Sequence, residues 1–377
     1  MRLSEQQTPC LVLDKGKVAK NCARLHERLA RLGVNLRPHG KTAKNIDALR
    51  LSLAGQSGGI TVSTLREAEY YFEQGVTDIV YAVGIAPVKL ARACGLVERG
   101  LGLAVILDSV AQAQAVSAQA QQHSVTLPVL IEIDCDGHRS GVVPDDPALL
   151  EIGRLLDRLD GVALRGVLTH AGESYNCRDT ECIKALAVQE RDMAVRCAVT
   201  LRADGLQCPV VSVGSTPTAM FAEDLTGVTE VRAGVFVFFD LFMAGLGVCE
   251  VQDIAVSVLT SVIGHQKRKG WVITDAGWMA LSRDRGTAGQ ALDQGYGLVC
   301  DLDGKPIPDL IVEAVNQEHG IVADRSGKDL DWAQFPVGSM LRVLPNHACA
   351  VGAMHDRYQV VDGGTEVVGV WERVNGW

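Results

Sequence analysis

The feature that most constrains this chain is the regular alternation, over its first two thirds, of short apolar runs with stretches of helical periodicity. The runs are Cys10 to Asp14, Gly33 to Arg37, Gly59 to Ser63, Asp78 to Val83, Gly102 to Asp108, Pro128 to Asp134, Leu164 to His170 and Pro209 to Gly214. Between them, Lys15 to Leu32 places Val18, Cys22, Leu25 and Leu29 on one face, and Asp179 to Ala203 repeats apolar positions at similar intervals. Both stretches are long enough for crossover helices, and repeated strand-helix units imply parallel strands. Roughly eight such units over about 235 residues match a (β/α)8 barrel in number and length. A doubly wound open sheet would alternate in much the same way, and the barrel is the favoured reading.

After Asp240 the pattern changes. Ile254 to Ile263, Gly270 to Asp275, Asp309 to Glu313, Met340 to Leu344 and Tyr358 to Val361 are strand-like, separated by Gly or Pro turns. The expected fold is therefore α/β. A TIM barrel spans residues 1–240, with its first residues open to joining the β part, and a mainly β domain spans residues 241–377.

A chain of 377 residues with 47% hydrophobic content can build a substantial core. Its formal net charge of −9 argues against nucleic-acid or anionic-membrane partners, which attract basic surfaces. The opening segment Met1-Arg2-Leu3-Ser4-Glu5-Gln6-Gln7 lacks the apolar core of a secretory signal, and no later stretch has the uninterrupted length that spans a bilayer, so the expected location is cytoplasmic. The eleven cysteines lack CxxC spacing and are expected to be reduced and mostly buried, with Cys349 set apart from the rest.

Several strand ends carry reactive side chains. Lys41, in Arg37-Pro38-His39-Gly40-Lys41-Thr42-Ala43-Lys44, lies where a barrel enzyme would hold a carbonyl cofactor as a Schiff base; a lysine there is otherwise a solvated loop residue. Arg139, in a glycine-flanked turn after Val129 to Asp134, is placed to bond a phenolate or a carboxylate, or simply loop carbonyls. His170 closes another apolar run and is a candidate acid/base or ring-stacking group, with Glu173 and Tyr175 just beyond it. Gly214-Ser215-Thr216 forms a glycine-led turn that suits a phosphate or an ordinary helix cap, and falls after the eighth run as counted here. In Pro345-Asn346-His347-Ala348-Cys349 an imidazole and a thiol two residues apart suit a divalent ion, Zn2+ best on softness, with His319 and Asp275 as possible neighbours.

Together these segments resemble the family containing D-threonine aldolase, D-serine dehydratase and 3-hydroxy-D-aspartate aldolase, related in fold to bacterial alanine racemase. The resemblance runs from about Thr8 to near the carboxyl terminus, and rests on the ordered set RPHGKTAK, GHRSGV, HAGESY, GSTPT, DAGW, NQEHG and PNHAC. It implies a pyridoxal 5'-phosphate barrel joined to a β domain, assembled as a homodimer. Lys41 then matches the cofactor-linked lysine and Arg139 the arginine beside the cofactor's O3′. His170 and Tyr175 match the active-site segment, and Gly214, Ser215 and Thr216 the phosphate-binding turn. His347 and Cys349 match the metal pair, for Zn2+ or Mn2+. Some aldolases of the family have aspartate where Cys349 stands, whereas dehydratases carry the His-x-Cys form.

The activity implied is cleavage of a small D-β-hydroxy-α-amino acid, such as D-threonine, to glycine and an aldehyde, with His170 or the metal site taking the hydroxyl proton. D-serine dehydratase, giving pyruvate and ammonia, and 3-hydroxy-D-aspartate aldolase are the alternatives; in a dehydratase Lys41 takes the α-proton while the metal assists departure of the hydroxyl. Two further readings are a non-catalytic pyridoxal-phosphate carrier and a barrel enzyme without that cofactor.

Overall fold

The computed structural model describes residues 1–56 and 59–377. Two units make up the chain: Arg24–Gly234 with Val374–Trp377, and Met1–Ala23 with Val235–Arg373. In chain order the first elements are β1 (Cys10–Asp14) and α1 (Lys15–Arg31), and the division falls within α1.

The first unit repeats strand and helix: β2 (Asn35–Leu36), α2 (Ile46–Leu53), β3 (Ile60–Val62), α3 (Leu65–Glu73), β4 (Asp78–Gly84), α4 (Leu90–Glu98), β5 (Gly102–Leu107), α5 (Val110–Gln122), β6 (Leu127–Ile133), α6 (Ala148–Arg158), β7 (Val162–Thr169), α7 (Thr180–Ala203), β8 (Val210–Val213), α8 (Thr216–Phe221) and β9 (Glu230–Val231). The eight strands pair in the order β2-β9-β8-β7-β6-β5-β4-β3, every neighbouring pair parallel. A parallel bridge between His39 and Thr61, with Gly40 N–H donating to the Thr61 carbonyl at 2.8 Å, joins the two edges and closes the barrel. Closure leaves no free sheet edge, and helices over the outside explain why the strands read as continuous apolar runs. Val80, Ile106, Leu130 and Leu168 form one buried cluster, each worth about 1.5–3 kcal/mol relative to exposure.

The turn chemistry after the strands is local. Asn45, Thr64, Ser109, Asp179 and Ser215 each cap the following helix by accepting a backbone N–H into the side chain. Two features depart from the sequence reading. Cys10–Asp14 is not the first barrel strand: it pairs antiparallel with Val256–Gln266 and parallel with Arg357–Val361. The eighth barrel strand is instead β9, whose two residues are too few to show a period, so Gly214 follows the seventh barrel strand. The second departure is a disulfide between Cys177 and Cys182, Cα atoms 5.6 Å apart, in place of two reduced thiols.

The second unit is mainly β: β10 (Val256–Gln266), β11 (Trp271–Thr274), β12 (Leu298–Cys300), β13 (Pro306–Val315), β14 (Gly320–Asp324), β15 (Met340–Leu344), β16 (Arg357–Val361) and β17 (Val367–Glu372), together with β1. They form a nine-stranded sheet in the order β11-β14-β13-β12-β15-β10-β1-β16-β17. Because β10 pairs with both β15 and β11, six of these strands close on themselves. Short helices α9 (Leu241–Gly245), α10 (Trp278–Leu281) and α11 (Ala348–Gly352) interrupt them. Among the described residues no helix is long and apolar enough to cross a membrane.

Candidate active site

Lys41 sits in the turn after β2 and is exposed. Its backbone N–H donates to His39 Nδ1 at 3.3 Å, so the His39 ring proton lies on Nε2 and faces Ser63 Oγ at 3.3 Å. Removal from water, with Lys41, Arg232, His170 and Lys44 nearby, holds His39 well below the ordinary imidazole range. Gly40 is required where it stands: a Cβ there would meet the Tyr71 ring at 2.5 Å, and Tyr71 also donates its hydroxyl to the Gly40 carbonyl at 3.0 Å.

His170, at the end of β7, donates Nδ1–H to the Gly214 carbonyl at 2.8 Å, because a carbonyl can only accept. Its pKa is pushed down to about 3, chiefly by removal from water; Lys41, Arg232 and Arg139 add to the shift, and the Gly214 bond opposes it. The ring is therefore neutral at physiological pH, with Nε2 unprotonated. Tyr175 lies alongside, ring centroids 6.1 Å apart. Arg139 is largely exposed, 3.8 Å from the buried Glu132 carboxylate, and shares a cavity with Glu132, Asp134, Asp136, Ser140 and His170.

Gly214, Ser215 and Thr216 form the turn into α8. Ser215 and Thr218 complete a capping box, and Ser215 Oγ lies 2.9 Å from Ser174 Oγ in the loop after His170. Gly214 has φ +136°, and a Cβ there would come within 2.0 Å of the Arg232 carbonyl. We expect Gly214→Ala to cost about 3 kcal/mol in urea unfolding, because the colliding partner is backbone and cannot swing aside. A midpoint unchanged from the unaltered chain would contradict this reading.

Two buried charges of this unit carry no motif. Arg232 donates to Ser212 Oγ at 2.6 Å and to the Thr169 carbonyl, beneath the His170 loop. Burial pushes it down to about 10, against the pull of Glu230 and Glu190. Glu190, on α7, accepts the N–H groups of Ala171 and Gly214, both at 2.9 Å, and the Thr218 hydroxyl at 2.7 Å. The barrel unit thus brings Lys41, Arg139, His170, Tyr175 and the Gly214 turn into one neighbourhood.

In the second unit His347 precedes α11. Its Nδ1 meets Asp284 Oδ2 at 2.7 Å, and the Cys349 side chain hydrogen-bonds to the same ring. Burial lowers the His347 pKa, but Asp284, Cys349 and Asp240 outweigh it and hold the ring at about 11; the same contact keeps Asp284 below the usual carboxylate range. Asp240 is buried, accepts the Ala348 and Met243 N–H groups at 2.9 Å each, and is pushed up to about 6 by burial. A carboxylate on Nδ1 directs Nε2 toward a metal, and imidazole with thiolate is a donor pair that fits a divalent ion. Among the described residues no group of three or more His, Cys, Asp or Glu side chains is arranged to hold a metal ion. Neither neighbour named from the sequence joins the pair: Asp275 accepts from Thr8, Thr260 and Ser261, and His319 is exposed. Asp284 takes that place instead.

Residues 13–241 match the family model "Alanine racemase, N-terminal domain", and residues 255–361 match "Putative serine dehydratase domain". The chain is 54% identical to D-threo-3-hydroxyaspartate dehydratase of Delftia sp. (strain HT23), covering 98% of each. It is 29% identical to D-serine dehydratase of Dictyostelium discoideum, covering 100% of this chain and 98% of that one, and 28% identical to D-threonine aldolase of Arthrobacter sp., covering 98% and 93%. The solved Delftia enzyme superposes with a TM-score of 0.97, covering 100% of both chains at 52% identity. The same enzyme has been solved as a cysteine-to-alanine mutant in the metal-free form and as a histidine-to-alanine mutant. The chain belongs to the alanine racemase-like family of fold type III pyridoxal-phosphate enzymes, and these named relatives are lyases.

Proposed function

We propose that this chain is a pyridoxal-phosphate- and divalent-metal-dependent dehydratase of D-β-hydroxy-α-amino acids, releasing a 2-oxo acid and ammonia, with D-threo-3-hydroxyaspartate as the first substrate to try. The observation that carries the choice between lyase reactions is the state of His170. A ring at about pKa 3 whose Nδ1–H is spent on Gly214 is a poor acceptor for a β-hydroxyl proton at neutral pH, as aldol cleavage through His170 would require. Dehydration asks instead for removal of the α-proton, for which Lys41 is the amine at hand. The end-to-end identity with a 3-hydroxyaspartate dehydratase supports the same choice, and a carrier has no use for the domain matched by residues 255–361.

Lys41 would hold the cofactor covalently, Arg139 would face its phenolic oxygen, and the Gly214-Ser215-Thr216 turn would take its phosphate. Bound there, pyridoxal phosphate supplies an electron sink at the substrate α-carbon. His170 contributes a neutral ring face beside Tyr175, so its cation does not compete with that sink. The Lys41 amine would also serve as the base that takes the proton from the substrate α-carbon. His347 and Cys349 would hold the metal, whose Lewis acidity helps the β-hydroxyl to leave.

D-Threonine aldolase is the second reading, supported by the Arthrobacter relative and by a substrate common to both reactions. The test is product identification with loaded protein and D-threo-3-hydroxyaspartate, D-serine and D-threonine in turn. We expect 2-oxo acid and ammonia; glycine with an aldehyde would establish the aldolase and overturn the dehydratase.

A further inference from the structure

Glu190 is a deeply buried carboxylate with no place in the reaction above: 2% exposed, in the middle of α7, it receives three donors, two from different loops and one from α8. One oxygen, Oε1, accepts both the Ala171 and the Gly214 N–H, and Oε2 accepts the Thr218 hydroxyl. Those partners are the frame of His170. Ala171 is the next residue along the chain, and Gly214 is the residue whose carbonyl takes the His170 Nδ1 proton at 2.8 Å. A single carboxylate oxygen thus ties down both ends of that hydrogen bond. Through Thr218, which accepts the Ser215 N–H at 3.1 Å, the same side chain also sets the turn into α8.

We infer that Glu190 is a positioning residue: by clamping the Ala171 and Gly214 amides it aims the Gly214 carbonyl at His170, fixes that ring as the Nδ1–H tautomer, and holds the Gly214-Ser215-Thr216 turn in the shape that receives the cofactor phosphate. The last clause rests on the function proposed above; the first two do not. Nothing about the frame needs the negative charge itself. In Glu190→Gln the retained oxygen accepts both amides, while the new NH2 group donates to Thr218 Oγ, whose proton turns toward Ser215. Glu190→Asp does the opposite, keeping the charge but falling one methylene short of amides on two loops.

The experiment compares these two variants by two measurements. The first is the 15N signature of the His170 ring in cofactor-free protein, assigned by its disappearance in His170→Gln. The second is the dissociation constant for pyridoxal phosphate, read from the visible absorption band. Expected is a Glu190→Gln protein with an Nδ1–H His170 and cofactor affinity near that of the unaltered chain. Glu190→Asp should show a mixed tautomer and affinity weaker by about 10-fold or more, the scale on which outer-shell partners act. Glu190→Ala replaces Glu190→Asp if the latter does not fold. Wild-type tautomer and affinity in Glu190→Asp would overturn the inference, and so would a Glu190→Gln protein as damaged as Glu190→Asp, since charge rather than reach would then matter. An unaltered chain that binds no pyridoxal phosphate would sink the proposed function, leaving the tautomer measurement to decide the role of Glu190.

Discussion

Lys41→Ala is expected to abolish the visible absorption band of the loaded protein and to lower turnover by about a thousand-fold or more. The argument does not depend on which bond the substrate loses. Lys41 stands in the turn held by the Gly40–Tyr71 contact, with its own amide pinned to His39, so its side chain leaves a fixed backbone. The nearby histidines cannot substitute for it as bases: His170 is held at about 3 and His39 well below its ordinary range, both partly by the charge of Lys41 itself. On the function proposed above, removing the lysine therefore removes the attachment point and the local base together. The band and the rate separate these roles, since an added primary amine could restore part of the rate without restoring the band. A Lys41→Ala protein that folds and keeps the band would remove the cofactor assignment altogether.

How much of this was legible beforehand follows from the range over which each signal acts. Strand and helix alternate visibly because periodicity is local, and Lys41, Arg139 and His170 stand out because each is a charged or titratable group at the end of an apolar run or in the turn just after it. Register and partnership are not local. Cys10–Asp14 reads as a strand, but no feature of five residues says that it pairs with residues near Val256 and Gln359 rather than with the barrel. β9 is two residues long and leaves no pattern at all. Glu190 did leave one: Ile183, Ala187, Ala194, Cys197 and Leu201 form the buried stripe of α7, and Glu190 is the lone charge within it. A carboxylate on an apolar stripe must find donors elsewhere, and those donors lie 19 to 28 residues away. Asp284 is harder still, being 63 residues from the histidine it holds. Asp275 follows β11 and His319 lies in the turn before β14, and neither position says what the side chain meets: the Asp275 carboxylate is occupied by hydroxyls from Thr8 and Thr260.

Chelation of the loaded protein, and independently His347→Ala, is expected to lower turnover by about a hundred-fold or more while leaving the visible band in place. The two sites are separable in this way because the residues assigned to the cofactor all belong to the barrel unit, whereas His347, Cys349, Asp284 and Asp240 all belong to the β unit. Hydroxide is a poor leaving group and His170, at about 3, and His39, well below its ordinary range, hold no proton to give it, so in the dehydratase proposed above its departure would fall to a metal held by His347 and Cys349. Asp284 gives the graded version of the test. Its carboxylate meets His347 Nδ1 at 2.7 Å and would orient the ring for the proposed metal without being a ligand itself, so Asp284→Asn should keep full activity at saturating Mn2+ or Zn2+ but require about 10–100-fold more metal to reach it. His347→Ala should not be rescued at any metal concentration. Re-addition of Zn2+ against Mn2+ to the unaltered chain then reads the donor set directly, since a thiolate favours the softer ion and Cys349→Asp should move the preference toward Mn2+. A chelated protein that turns over at the unaltered rate would show that His347, Cys349 and Asp284 form a structural hydrogen-bonded cluster and that the hydroxyl leaves by another route.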